Sequence, residues 1–456
     1  MSLKTESLAS MCEAVIDCPH STPVWSKSGY VVLRNKNIKD GRLDLSEPSF
    51  TDGEHFKQRI RRMAPQPGDI VITREAPMGE VCKIPEGLTC CLGQRQVLLR
   101  PKADVDADYL LYALQSPFVQ NQIRWNEGTG STVSNIRIPV LEKIEIPRHD
   151  QAETSIAKAL GSLDSKIDLN RHINQTLEAM AKVIFKSWFV DFDPVKAKMA
   201  AIEQGQDPLR AAMCAISGKT DAELDQIPRE QHDQLATTAA LFPETMEESE
   251  LGEIPQGWEE KSLDQIASYL NGLALQKFPP ESEDEYLSVI KIAQLRAGYA
   301  SGADRASKNI KPEYIVQDGD VLFSWSGSLE VDVWTGGVGA LNQHLFKITS
   351  ESVPKWFYYF ATKHYLPQFR EIAADKATTM GHIQRKHLSD AKTAVPKPDV
   401  MRAASENISP IFNQVISLRL QSGKLADLRD ALLPKLLSGE LAIGKIVGLA
   451  DTTGAI

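Results

Sequence analysis

The strongest constraint on this chain is that it contains itself twice. Gly68-Asp69-Ile70-Val71 returns as Gly319-Asp320-Val321-Leu322, and Leu92-Gly93-Gln94-Arg95 returns as Leu341-Asn342-Gln343-His344. Asp108-Tyr109-Leu110-Leu111-Tyr112 has its counterpart in Lys355-Trp356-Phe357-Tyr358-Tyr359. Ile146-Pro147 precedes one long helical pattern and Val395-Pro396 precedes another. The matches share one order and one offset of about 250 residues, far longer than a solenoid unit, so they imply two similar domains.

Each half opens on strand-like runs between Gly, Pro and Asp turns. In the first half these are Tyr30-Val31-Val32-Leu33, Ile70-Val71-Ile72-Thr73 and Gln96-Val97-Leu98-Leu99. In the second they are Tyr286-Leu287-Ser288-Val289-Ile290 and Asp320-Val321-Leu322-Phe323-Ser324. With helical patterns interspersed, this predicts two α+β domains, at residues 1–150 and 257–397.

Each half closes on a helix with a heptad seam. In residues 151–194 apolar positions fall at Ile156, Leu160, Leu163, Ile167, Leu177, Ala181, Ile184 and Trp188, and the two positions that keep register across the gap are Asn170 and Asn174. In residues 398–441 the seam runs Ile408, Ile411, Val415, Leu418, Leu425, Leu432, Leu436, interrupted at Ser422 and Arg429. Two such seams in one chain predict an intramolecular antiparallel coiled coil. The simpler arrangement packs each helix only on its own domain.

Charge is uneven. The chain carries 51 Lys+Arg against 60 Asp+Glu, a formal −9. Residues 197–256 hold four basic and twelve acidic side chains, leaving the rest nearly neutral, so the acidity does not exclude an anionic partner. Segment 195–256 reads as an acidic, loosely packed linker with short Ala-rich helical patterns, and 442–456 as a C-terminal tail. No apolar run reaches the roughly 18 residues of a membrane span. The polar opening residues and six cysteines without a C-x-x-C pair predict a cytoplasmic protein with reduced thiols and no membrane partner. Adjacent Cys90 and Cys91 would point to opposite faces of a strand, into core.

Catalytic signatures are missing. There is no Asn-Pro-Pro-aromatic or Asp-Pro-Pro-aromatic string and no phosphate-binding Walker loop. Gly336-Gly337-Val338-Gly339 lacks dinucleotide-loop spacing and reads as a strand turn. His382 and His387 are five apart, outside an H-E-x-x-H pattern and without a cysteine nearby, so no metal site and no catalytic residue is assigned.

Binding signals are better. His55-Phe56-Lys57-Gln58-Arg59-Ile60-Arg61-Arg62 holds four cations that could neutralise phosphates, or form a solvated helix face. Arg124-Trp125 leads into Gly128-Thr129-Gly130-Ser131-Thr132, then Asn135 and Arg137. Small residues admit a phosphate, and Arg and Asn read base edges by paired hydrogen bonds. The parallel place in the second half offers Lys376, Thr378, Thr379, His382, Gln384, Arg385 and Lys386.

Three strings complete the pattern: Leu251-Gly252-Glu253-Ile254-Pro255-Gln256-Gly257-Trp258, Lys186-Ser187-Trp188-Phe189-Val190-Asp191-Phe192-Asp193-Pro194, and the run from Leu428 through Leu432-Leu433-Pro434 to Leu441. With Gly68-Asp69-Ile70-Val71-Ile72-Thr73-Arg74 and Gly79, they resemble the DNA-specificity (S) subunits of type I restriction-modification systems over nearly the whole chain. The resemblance implies two target-recognition domains, each reading half of a split, asymmetric site in double-stranded DNA, separated by two long helices that form an antiparallel coiled coil. It implies docking of two methyltransferase (M) and two restriction (R) subunits. S-adenosylmethionine, ATP and magnesium would then belong to those partners, with no cofactor in this chain.

On this reading Lys57, Arg59, Arg61, Arg62, Arg74, Arg124, Lys308, Lys376 and Arg385 are candidate phosphate grips. Gln94, Arg95, Thr132, Asn135, Arg137, Gln343, His344, His382 and Gln384 are candidate base readers. Trp188, Phe189, Asp191, Phe192, Leu432, Leu433 and Leu436 would meet the methyltransferase partner, unless they pack inside the chain. The rival readings are a self-sufficient DNA methyltransferase or nuclease with divergent motifs, and a coiled-coil adaptor without a DNA role. The adaptor leaves the twin basic and polar loops unexplained.

Overall fold

The computed structural model describes residues 4–125, 135–375 and 381–442. The chain forms two compact units, Met1–Ile167 with Lys424–Ile456, and Asp168–Gly423. Both long helices, Glu153–Phe189 and Pro398–Leu437, therefore contribute a segment to each unit.

The two units repeat one topology. In the first, a four-stranded antiparallel sheet runs in the order Cys12–Asp17, Gln96–Pro101, Ile70–Thr73, Val81–Lys83. In the second the order is Ser268–Asn271, Leu345–Thr349, Val321–Ser324, Glu330–Val333. A smaller sheet in each has one parallel pair, Tyr30–Leu33 with Cys90–Leu92 and Leu287–Ile290 with Gly339–Leu341. Each domain is closed by pairing its first and last strands, Thr5–Ser7 with Glu145–Pro147 and Glu259–Ser262 with Lys392–Val395. The helices Ala107–Gln115 and Pro117–Trp125 correspond to Lys355–His364 and Leu366–Asp375.

The repeated Gly-Asp has a local cause. Gly68 and Gly319 lie at φ +88° and +90°, a left-handed turn that favours glycine. The next Asp accepts the amide of Gln66 or Gln317 at 2.8 Å, closing the turn that feeds the central strand. Its carboxylate also pairs with a cation on the neighbouring strand, Asp69 with Arg100 and Asp320 with Lys347, both at 2.8 Å. Cys90 and Cys91 pack into two different clusters, and burial pushes their thiols up to about 12 and about 11.

The long helices pair antiparallel within each unit. In the first, Arg429 Nη1 reaches Asp164 Oδ1 at 2.8 Å, and the His149 ring nitrogen Nε2 meets the Leu437 carbonyl. In the second, Asn170 Nδ2 donates to Gln421 Oε1 at 2.9 Å and Arg419 pairs with Glu178 at 2.6 Å. As one residue number rises the partner's falls, the signature of antiparallel pairing. Ile156, Leu160, Ile167, Asn170, Asn174, Ala181 and Trp188 are all buried, as the heptad seam requires.

The two asparagines carry a cost. The Oδ1 atoms of Asn170 and Asn174 are buried without a hydrogen-bond partner. Such an acceptor forfeits about 1–3 kcal/mol of solvation, in exchange for penalising mispaired registers. Asn174→Leu is therefore expected to raise stability by about 1–2 kcal/mol, since it removes an unmet acceptor and adds apolar burial. Thermal unfolding of the purified chain checks this, and an unchanged or lowered melting point would contradict it.

Segment 195–256 departs from the loose linker its composition suggests. It is built of the helices Asp193–Glu203, Pro208–Ser217, Asp221–Leu224 and Arg229–Ala240, then a hairpin of Met246–Ser249 and Gly252–Pro255. Ala212, Met213, Leu224 and Ala239 form its own small core. Local signals favour folding: Asp207 caps the second helix at the Leu209 amide, Gly218 ends it in the left-handed region, and Thr220 and Glu223 form a capping box. Arg210 pairs with both Asp221 and Asp225, so part of the acidity is internally matched. Among the described residues no helix is long and apolar enough to cross a membrane.

Candidate nucleic-acid interface

In the first unit three chain segments converge at one end of the four-stranded sheet. The strand Ile70–Thr73 turns through residues 74–80, and the turn is closed by Gly79 N–H to Thr73 O at 2.9 Å and Glu80 N–H to Thr73 Oγ1 at 3.0 Å. Gln120 Nε2 holds Gly79 O at 2.9 Å and Asn35 Nδ2 holds Glu75 O at 2.5 Å. Arg74 N–H donates to Arg95 O at 2.8 Å, and Ile136 N–H donates to Arg74 O at 3.1 Å. Glu75 and Asn135 form a β-bridge. Arg74, Gln94, Arg95, Asn135 and Arg137 are thus brought together.

The second unit builds the same junction. Trp325 N–H donates to His344 O, Ile383 N–H to Trp325 O, and Ser326 bridges His382. Gln343, His344, His382, Gln384 and Arg385 gather there. Its chemistry differs. Ser326 Oγ lies 3.0 Å from His344 Nδ1, and the Trp325 ring packs against His344, Phe346 and His382 with centroids 5.9–6.3 Å apart. Arg370, the counterpart of Gln120, donates twice to Leu329 O.

Several candidates have other duties. Arg59 is 7% exposed and donates to the carbonyls of Leu92, Gly93, Ser21 and Pro19. It ties loops together and cannot reach a phosphate. Its helix, Gly53–Arg59, leaves Lys57 exposed, with Arg61 and Arg62 exposed beyond its end. Arg62 donates to Asp17 O, and Arg74 is held by Asp17 at 2.9 Å and by Ile136 O. Gln94 Nε2 is bonded to His20 O at 2.6 Å. Arg385 donates to Tyr269 O and lies over the Phe346 ring. Arg124, Arg137 and Gln384 are exposed, while Lys308 is exposed 4.0 Å from Glu285. Thr132 and Lys376 lie outside the described residues.

The partner-contact candidates are corrected more sharply. Trp188, Phe189 and Phe192 are buried in an aromatic core with Phe185, Phe242, Trp258, Trp356 and Phe357. Leu433 and Leu436 are buried in the first unit's core, and Leu432 packs against it. Asp191 pairs with Lys186. The internal alternative holds for the apolar ones.

Two features escaped the sequence reading. Arg34, exposed, lies 5.2 Å over the half-exposed Trp25 ring and adjoins Asn35 at the junction. Leu169, Ile173, Met180 and Val183 are large apolar side chains left exposed on the long helix, with exposed Thr176 between them. Their steps of 4, 3, 4 and 3 make a second heptad stripe, about 100° around the helix from the inner seam. The spacing was readable, but the stronger seam one residue along masked it.

Residues 17–179 match the family described as the type I restriction modification DNA specificity domain. The specificity subunit of the type I restriction enzyme HindI from Haemophilus influenzae is 29% identical over 331 residues, 69% of this chain and 71% of that protein. The MjaIX specificity subunit from Methanocaldococcus jannaschii is 24% identical over 420 residues, 90% and 84% of the two chains. The crystal structure of a type I S subunit from M. genitalium aligns with TM-score 0.49 at 14% identity over 96% of each chain. The chain is thus similar to type I restriction-modification specificity (S) subunits over most of its length, and residues 17–179 match their DNA specificity domain.

Proposed function

We propose that this chain reads a two-part, asymmetric site in double-stranded DNA, one half through each α+β domain, and carries no catalytic group of its own. The observation that carries this is the duplicated junction: one pattern of backbone hydrogen bonds and bridges, built twice, with different side chains on it. Two copies with different chemistry suit two different half-sites. Methyl transfer and cleavage then belong to two methyltransferase and two restriction subunits, which bring S-adenosylmethionine, ATP and magnesium. Exposed Lys57, Arg61, Arg124 and Arg34 supply cations for phosphates.

The methyltransferase partner docks on the exposed stripe of the long helix. A stripe of heptad spacing fits an apolar helix of another chain.

The test is methylome sequencing of cells expressing the chain with its methyltransferase partner. A two-part motif is expected, and exchange of residues 1–150 for a relative's domain should alter one half only. Purified chain alone should transfer no methyl group. Methylation by a partner-free preparation, or a change in both halves on exchange, would refute this reading.

A further inference from the structure

We infer that Arg95 reads a guanine in the half-site of the first domain, and that Glu75 is the residue that presents it. This rests on the proposed DNA-reading function and narrows it to one side chain and one base.

Arg95 lies at φ +69°, in the left-handed region that disfavours a residue with a Cβ. Glycine would occupy that corner without strain, and the chain has a glycine two residues earlier. A strained corner that carries a long side chain points to a use for that side chain. The corner is fixed by the main chain, since Arg95 O accepts the Arg74 amide at 2.8 Å and Gln96 begins the strand.

The side chain is half exposed, and Arg95 Nε pairs with Glu75 Oε1 at 2.9 Å. Glu75 is itself fixed, because its carbonyl accepts Asn35 Nδ2 and it bridges Asn135. This pairing favours a base over a phosphate. A carboxylate beside the guanidinium cancels its charge and repels a phosphate. It leaves directional N–H donors suited to a neutral edge with two acceptors, and guanine's O6 and N7 form that edge in the major groove. Arg74, one residue before, cannot serve, since Asp17 and Ile136 O hold it.

The second unit supports the assignment independently. His344 takes the place of Arg95, its carbonyl accepting the Trp325 amide, and Ser326 takes the place of Glu75, 3.0 Å from the His344 ring. The reader and the residue that presents it change together within an equivalent backbone hydrogen-bond pattern, and the left-handed corner of Arg95 is not repeated at His344. The corresponding position of the other half-site is therefore read by different chemistry.

The experiment compares methylomes of the wild type, Arg95→Gly and Arg95→Gln, each expressed with the methyltransferase partner, with melting curves as a folding control. The wild-type motif should contain a G·C pair in one half that Arg95→Gly relaxes, with discrimination falling roughly ten- to hundredfold. Every other position should stay intact. Arg95→Gly should melt no lower than the wild type, because it relieves the strained corner, and Arg95→Gln should move that position towards A·T. An unchanged motif, a motif without G·C in either half, or an equal loss of methylation at every site would overturn the inference, the last by showing a phosphate grip. A wild-type complex that yields no two-part motif would instead refute the DNA-reading function, a result distinguishable from a motif insensitive to Arg95.

Discussion

Asp164→Ala is expected to destabilise the first unit by about 3 kcal/mol, with a melting shift of roughly 6–12 °C. Asp164 accepts hydrogen bonds from Arg42 Nη2 at 2.9 Å, Arg429 Nη1 at 2.8 Å and Tyr112 OH at 2.6 Å. Its side chain is one-fifth exposed and both arginines are largely covered. Removing the carboxylate leaves two guanidinium groups facing each other in a poorly hydrated place. The loss sits at the low end of the 3–5 kcal/mol typical of broken buried pairs, because Arg429 keeps Asp430 at 2.7 Å. Asp164→Asn should recover less than half, since it retains an acceptor for Tyr112 but no charge. Urea or thermal unfolding decides it: a melting point within about 2 °C of the wild type would mean that the hub contributes no more than an ordinary surface pair.

The second unit uses the same device with the signs reversed. Arg419, on the long helix that follows its domain, gathers Asp332 at 2.8 Å and Glu178 at 2.6 Å. In the first unit a carboxylate collects cations; in the second a guanidinium collects carboxylates. A duplicated domain docked on the wrong helix segment would place like charges together. Charge inversion thus gives each domain a reason to dock where it does, which apolar packing alone does not provide.

Much of this was legible from local chemistry. The Gly68-Asp69 and Gly319-Asp320 turns need those residues for backbone reasons, so the repeat survived as sequence. The seam was legible through its asparagines, because burial follows helical period. Arg59 was not legible: it looks like its exposed neighbours, and what buries it is a set of carbonyls at positions 19, 21, 92 and 93, assembled only by the fold. The short helical patterns of segment 195–256 were legible, but not that they pack on a core of their own, because its net charge outweighed its caps. The recognition junction was legible as residue types, yet which arginine is held and which is exposed depends on Asp17 and Glu75, distant in sequence from Arg74 and Arg95 respectively.

The same reasoning separates core from interface at the end of the first long helix. Phe189 is 2% exposed, with its ring centroid 5.4–5.9 Å from those of Trp258, Trp356 and Phe357. Phe189→Ala is expected to cost the isolated chain about 3–5 kcal/mol, the price of a large cavity in a close-packed aromatic cluster. Val183, six residues earlier, is 66% exposed in the apolar stripe. Val183→Glu should leave the isolated chain's melting point within about 2 °C of the wild type, since an exposed substitution is nearly neutral. It should weaken capture of the methyltransferase subunit by roughly tenfold or more, because binding would then desolvate a carboxylate. The two variants differ in which quantity moves, stability for Phe189→Ala and partner affinity for Val183→Glu. Measured together by thermal unfolding and quantitative co-purification, they place the interface. A Phe189→Ala chain that melts like the wild type but loses its partner would return the interface to the buried aromatics. Undiminished capture by Val183→Glu would remove the stripe as the docking surface.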